Sequence, residues 1–225
     1  MNRALFLIIV GLGGVAILCA LGLWQVQRLA WKQGVISDID ARIHAAPVDL
    51  PATPNPEGDA YLPVAATGHF SGDTLRVLVS QKTQGAGYRL ITAFDTDGRR
   101  VLVDRGFVAV DSPDVARPEG EARVIGNLQW PRETDGFTPE VDTKNNIWFA
   151  RDVPAMAQAL GTEPLLIVAR SLEQDDPSVT PLPVDTSRIP NDHLQYAITW
   201  FSLAAIWLAM SLLFLRPRRA ISSES

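Results

Sequence analysis

The chain has 225 residues, with 20 Lys and Arg against 25 Asp and Glu, for a net charge of −5. That acidic balance excludes a basic nucleic-acid binder. The single cysteine, Cys19, excludes an intrachain disulfide framework and any CxxC metal or redox site.

The first element is an uncharged apolar run, Ala4 to Gln27, bounded by Arg3 and Arg28. About 20 apolar residues at about 1.5 Å rise cross a hydrocarbon core of about 30 Å, so residues 4–27 predict a transmembrane helix. The run is longer than a signal-peptide core and continues without a break into Trp24-Gln25-Val26-Gln27-Arg28. It therefore reads as a retained anchor. Leu18 stands where a lipoprotein signal needs a small residue before the cysteine, so Cys19 reads as a small apolar residue. Gly11, Gly14, Leu18, Gly22 and Gln25 fall at helical spacing and make a narrow groove. That groove could receive either the second apolar helix or a partner protein.

Leu29, Val35, Ile36, Ile39 and Ile43 carry the helical period onward, predicting a helical extension over 28–46. Trp24 and Trp31, seven residues apart, share a face and read as interfacial anchors. Pro47, Pro51, Pro54 and Pro56 then predict an irregular loop over 47–60.

The period next changes to two. Pro63–Phe70, Thr74–Gln81, Tyr88–Asp95, Arg100–Val110 and Ala122–Trp130 predict strands, with short ones at Trp148–Ala150 and Pro164–Ser171. Ser71-Gly72-Asp73, Gly85-Ala86-Gly87 and Thr96-Asp97-Gly98 read as turns, the last as the clearest hairpin. Asp152 predicts the N-cap of a short helix over Val153–Leu160, with Gly161 as its stop. Loops are expected around Pro113 and Pro118 and over Glu173–Pro183. The fold class is thus an α+β membrane protein: two transmembrane helices flanking one antiparallel β-rich domain, barrel- or sandwich-like, over 47–190.

The second apolar run, Leu194 to Leu215, carries no charged residue and predicts a transmembrane helix over 192–215, capped by Asn191 or Asp192. Arg216, Arg218 and Arg219 follow it in the tail 216–225, and Arg3 precedes the first helix. The positive-inside rule places both short ends in the cytoplasm and the central domain outside, periplasmic in a bacterium. That central stretch, Arg28 to Asp192, holds 16 basic and 24 acidic residues.

The chain has no GxSxG, HExxH or Walker-type glycine loop, and three histidines: His44, His69 and His193. His44 ends a helix and His69 lies in a strand, neither at metal-ligand spacing. His193 heads a helical stripe with Tyr196, Ala197, Trp200, Ala204 and Trp207 at offsets of 3, 4, 7, 11 and 14. One reading is an interfacial histidine above an aromatic belt. The other is a site for a flat apolar ligand carrying a ligatable metal, with the alanines making room and the rings lining the sides. Arg105, on an otherwise apolar strand, needs a partner if buried, with Asp104 or Asp152 as the expected one. Trp148 reads as a core aromatic.

Gly22-Leu23-Trp24-Gln25 with Arg28 and Trp31-Lys32, Tyr61-Leu62-Pro63-Val64, Gly68-His69-Phe70, Gly87-Tyr88, Val103-Asp104-Arg105-Gly106-Phe107-Val108, Asn145 to Trp148, and Asn191-Asp192-His193-Leu194 with Tyr196-Ala197 and Thr199-Trp200-Phe201 occur in an order and spacing that resembles the surfeit locus protein 1 family. Family members often carry Asn where Asp104 stands. The resemblance implies a non-enzymatic assembly factor for haem–copper cytochrome c oxidase in the bacterial inner membrane. It implies haem a as a transiently bound cofactor, supplied to or stabilised for oxidase subunit I. His193 would be the axial iron ligand, with Tyr196 and Trp200 beside it. The implied partners are subunit I, a haem a synthase and the lipid bilayer, with no nucleic acid. The alternative is a scaffold that holds immature oxidase subunits without binding haem.

Overall fold

The computed structural model describes residues 3–112, 115–173, 177–187 and 189–216. Three sequence expectations lie outside them: Arg218 and Arg219 in the tail, the loop at Pro113, and residues 174–176 of the 173–183 loop. The chain divides into two compact units, one holding Met1–Asp38 with Ser187–Ser225 and the other Ile39–Thr186.

The first unit is a pair of helices. Helix α1 runs Arg3–Ile43, its last residues belonging to the second unit, and α4 runs His193–Leu215. Both are long and apolar enough to cross a membrane. Asp192 is the N-cap of α4, through its backbone carbonyl, which accepts from Tyr196 N at 3.1 Å; its side chain makes no cap bond.

The helices pack through the small-residue groove foreseen on α1. A Cβ on Gly22 would sit 2.7 Å from the Phe201 ring, and one on Gly11 3.0 Å from the Ser211 side chain. Gly14 lies against the Trp207 indole, whose Nε1–H donates to the Gly11 carbonyl at 3.2 Å. Positions 11, 14 and 22 thus meet 211, 207 and 201, so the helices are antiparallel. Small residues let the backbones approach, and tight van der Waals contact replaces the hydrophobic drive that lipid does not supply. The outward residues of both helices are large and exposed, among them Leu12, Ile17, Leu208 and Phe214.

The second unit is a closed sheet. Its elements are β1 Val48–Asp49, α2 Pro56–Asp59, β2 Pro63–Gln81, β3 Gly85–Thr96, β4 Arg99–Ala109, β5 Glu121–Gln129, β6 Ile147–Trp148, α3 Val153–Leu160 and β7 Leu166–Leu172. The order β2-β3-β4-β7-β5 closes through pairing of β5 with the first half of β2. The result is a five-stranded barrel, and closure removes the free edges of those strands. It is mixed rather than antiparallel, because β4 and β7 run parallel. The connection between them passes through β5, β6 and α3, long enough for a crossover.

The turn expected at Ser71-Gly72-Asp73 is not a turn. Residues 63–81 form one strand, and the register shifts between Ser71 and Thr74. This is a bulge, with Gly72 at φ +66° supplying the left-handed residue that bends the strand. It lets β2 serve two neighbours, β5 with its first half and β3 with its second. Gly85-Ala86-Gly87 is likewise strand; the loop is residues 82–84. Asp97-Gly98 does form the two-residue hairpin, with φ of 48° and 72° as a type I′ turn requires. The 47–60 segment is less irregular than expected. Val48–Asp49 pairs with β2, and Asn55 accepts from Glu57 N at 2.8 Å to start a one-turn helix at Pro56.

Two apolar layers hold the unit. Strand residues Val64, Phe70, Phe94, Val101, Val103, Val124, Leu128 and Ile167 fill the barrel. Leu102, Ile91, Leu166 and Val168 face the other way, under Val153 and Met156 of α3, Ile43 of α1 and Trp148. Trp148 is thus a core aromatic, as expected. Asn127, fully buried on β5, donates to the carbonyls of Ile43 (3.0 Å) and Tyr61 (2.9 Å), satisfying an orphan acceptor at the end of α1.

Candidate functional site

His193 is the first residue of α4 and is half-buried. Its Nδ1 lies 2.8 Å from Oε1 of Gln25 on α1. Gln25 is 8% exposed, although it sits in an apolar helix, because this bond satisfies an amide that would otherwise be costly to bury. An amide oxygen facing that ring nitrogen accepts from it in the tautomer protonated at Nδ1, so the roles in the pair follow the tautomer. Nε2, the other ring nitrogen, has no hydrogen-bond partner among the described residues. An imidazole oriented through one nitrogen, with the other unengaged, is the arrangement of a metal-ligating histidine.

The stripe below His193 divides. Ala197 and Ala204 are buried on the face that packs against α1, together with the indole edge of Trp207. They do not make room for a ligand, as the sequence suggested; they serve helix approach. Tyr196 is 55% exposed and Trp200 half-buried, so both offer accessible ring surface within two turns of His193. No group of three or more His, Cys, Asp or Glu suited to a metal occurs among the described residues. His193 is the residue here that could hold a metal, and Tyr196 and Trp200 are the rings near it that could contact a flat ligand. Gln25 as the partner of His193 was missed. The signal was present, since Gln25 was the polar member of the α1 groove, but nothing local joined it to a residue 168 positions away.

The other charged constellation is structural. Asp104 is buried on β4, where its Oδ2 accepts from Arg89 and lies 3.7 Å from Nη1 of Arg151. Its Oδ1 accepts from Gly106 N at 3.2 Å. Arg151 also donates to Glu133 and, at 2.8 Å, to Oε1 of Gln129. Burial would raise the Glu133 carboxyl, but the Arg151 guanidinium outweighs it and holds the group below the usual carboxylate range. Arg105 therefore does not share Asp104 or Asp152 as expected. Asp104 is taken by Arg89 and Arg151, and Asp152 caps α3 by accepting from Ala155 N at 3.1 Å. The register between β3 and β4 passes over Arg105, placing it at a bulge. From there it donates to the Ala116 carbonyl at 2.9 Å, with its guanidinium 5.9 Å from the Phe70 ring. Gly106, at φ +129°, lets Thr180 and Pro181 cross against β4, with Phe107 N donating to Thr180 O at 2.7 Å. The Arg105-Gly106 motif thus holds the chain at Ala116 and lets the segment at Thr180 cross β4. His69 is exposed on β2 and His44 closes α1 against the Asp40 carbonyl at 2.9 Å.

Comparison with known proteins agrees in extent with both units. The model of the SURF1 family matches residues 12–205. Human surfeit locus protein 1 is 34% identical over 210 residues, covering 82% of this chain and 69% of the human protein. A SURF1-like protein of Monosiga brevicollis is 34% identical over 212 residues, 84% of this chain and 80% of that one. A SURF1-like protein of the bacterium Rickettsia bellii is 29% identical over 219 residues, 92% of this chain and 89% of that one. The match runs through α1, the barrel and the His193 end of α4, and on that ground the chain belongs to the SURF1 family.

Proposed function

We propose that the protein is a membrane-anchored, non-enzymatic assembly factor for haem–copper cytochrome c oxidase that holds haem a through His193 and supplies or stabilises it for subunit I. The observation that carries this reading is the His193–Gln25 pair, which engages Nδ1 and leaves Nε2 without a partner among the described residues, at the first turn of an apolar helix. Haem a is cargo here: insoluble and reactive when free, it needs one good nitrogen donor and an apolar surface until transfer. His193 supplies the donor, and Tyr196 and Trp200 supply ring surface. A single neutral imidazole holds iron without locking it in. A haem a synthase on the giving side and subunit I on the receiving side are the partners this role requires.

Two spanning helices support placement in the inner membrane of a bacterium. Arg3 and Arg216 at the helix ends support cytoplasmic termini and a periplasmic acidic barrel unit. The test is an absorption spectrum of protein purified from a host that makes haem a. The wild type carries a Soret band, and His193→Ala loses it. An unchanged spectrum and haem stoichiometry in the variant refutes the ligand assignment. Normal oxidase haem content in cells carrying His193→Ala favours the scaffold role instead.

A further inference from the structure

We infer that Gln25 is a positioning residue for His193: it selects the tautomer that frees Nε2 for iron, and as a neutral amide it keeps that imidazole a weak enough donor to release its ligand. This rests on the reading of His193 as the iron ligand.

A neutral histidine carries one N–H, and an unconstrained imidazole favours it on Nε2. That tautomer has no lone pair at Nε2 to give. With Oε1 of Gln25 2.8 Å from Nδ1, the Nδ1–H tautomer is the one that makes this hydrogen bond, and it is the one that leaves Nε2 bare. Gln25 is itself held in place. It is 8% exposed, one turn beyond Gly22, whose missing side chain lets Phe201 of α4 approach. The ligand's orientation is therefore set by α1, not by α4 on which His193 resides.

The chemical identity of the partner matters as much as its position. A carboxylate would pull the Nδ1 proton, give the ring imidazolate character and strengthen its donation to iron. An amide accepts the same hydrogen bond without a charge. A storage site gains from the first arrangement, and a transfer site from the second. A purely structural role for Gln25, as polar glue between helices, is the competing account. It requires no particular tautomer and no dependence of iron chemistry on the acceptor's charge.

The experiment uses the full chain in nanodiscs, with two readouts. In the haem-free protein labelled with ¹⁵N-histidine, His193 is expected to show Nδ1 protonated and Nε2 bare. Gln25→Leu should shift the population toward the Nε2–H form, while Gln25→Glu should keep the Nδ1–H form. In protein loaded with haem a, Gln25→Glu should lower the midpoint potential and slow haem loss to apomyoglobin. Gln25→Leu should raise the potential and speed loss, by roughly 10–100-fold as for other partners of metal-bound histidines. A wild-type Nε2–H tautomer, or a tautomer and potential indifferent to both substitutions, overturns the inference. A tautomer shift in protein that takes up no haem upholds the Gln25–His193 pairing and overturns the ligand reading beneath it. Gln25→Glu retains the hydrogen bond, so the potential arm survives if Gln25→Leu disturbs the helix pair.

Discussion

Removing the Asp104 carboxylate should unfold the barrel unit far more readily than its size suggests. The side chain is fully buried, and the guanidiniums of Arg89 and Arg151 beside it are each only 10% exposed. In Asp104→Ala, Arg151 keeps Glu133 and Gln129, whereas Arg89, among the described residues, keeps the Leu182 carbonyl at 3.2 Å and the longer-range attraction of Glu133. A charge without its direct carboxylate partner is left inside the sheet, and Gly106 N loses its acceptor. Breaking a buried pair from one side costs about 3–5 kcal/mol. At about 2–4 °C per kcal/mol for a domain of this size, the midpoint should fall by roughly 6–20 °C. Asp104→Asn keeps one of the two acceptor oxygens, sets an NH2 donor against Arg89 or Gly106 N in place of the other and removes the charge, so its loss should be about 1.5–3 kcal/mol. The assay is thermal and urea unfolding of the full chain in detergent, followed by tryptophan fluorescence. Asp104→Ala combined with Arg89→Met removes the orphaned charge and should recover more than half of the loss. A loss below about 1 kcal/mol in the single variant, or a double variant no more stable than it, would falsify the account of a charge held in place by its partner.

Two further outcomes follow from the packing and the charges. Gly14→Leu should separate the helix pair, because its side chain enters the space of the Trp207 indole; an engineered disulfide between Gly11→Cys and Ser211→Cys, made in a Cys19→Ser background, should form readily without that change and poorly with it. Glu133, whose folded pKa lies below its unfolded value of about 4.3, contributes stability that is present above that value and is lost as pH falls through the folded pKa. Glu133→Gln should therefore be less stable than the wild type at neutral pH and converge with it in acid, and parallel pH profiles of the two proteins would remove Glu133 from the network.

Much of this molecule is decided locally, and that part was legible. An uncharged apolar run of 20 or so residues has few alternatives to a membrane helix, since no water is there to satisfy an irregular backbone. Asp97-Gly98 supplies two residues that accept positive φ, which fixes the hairpin between β3 and β4. Asp152 and Gly161 frame α3 because capping involves only neighbouring residues. His193 was visible as a histidine at the head of a spanning helix, and the groove of small residues on α1 was visible as spacing.

Tertiary structure decided what depends on residues far apart in the chain. Gly72 looks the same in a turn and in a bulge; only the pairing of β2 with both β3 and β5 selects the bulge. Barrel closure and the parallel β4–β7 pair are choices of neighbour and register, which no local pattern encodes. Asp104 could have met Arg105 or any other arginine, and the bulge at Arg105 turned those two side chains to different partners. The alanines of α4 could face ligand or helix with equal periodicity, and contact with α1 settled them. The sequence by itself determined that a histidine stands at a membrane helix's mouth. Which residue its Nδ1 meets was decided only when the fold brought Gln25 to within 2.8 Å, because a hydrogen bond is a matter of distance in space and not along the chain.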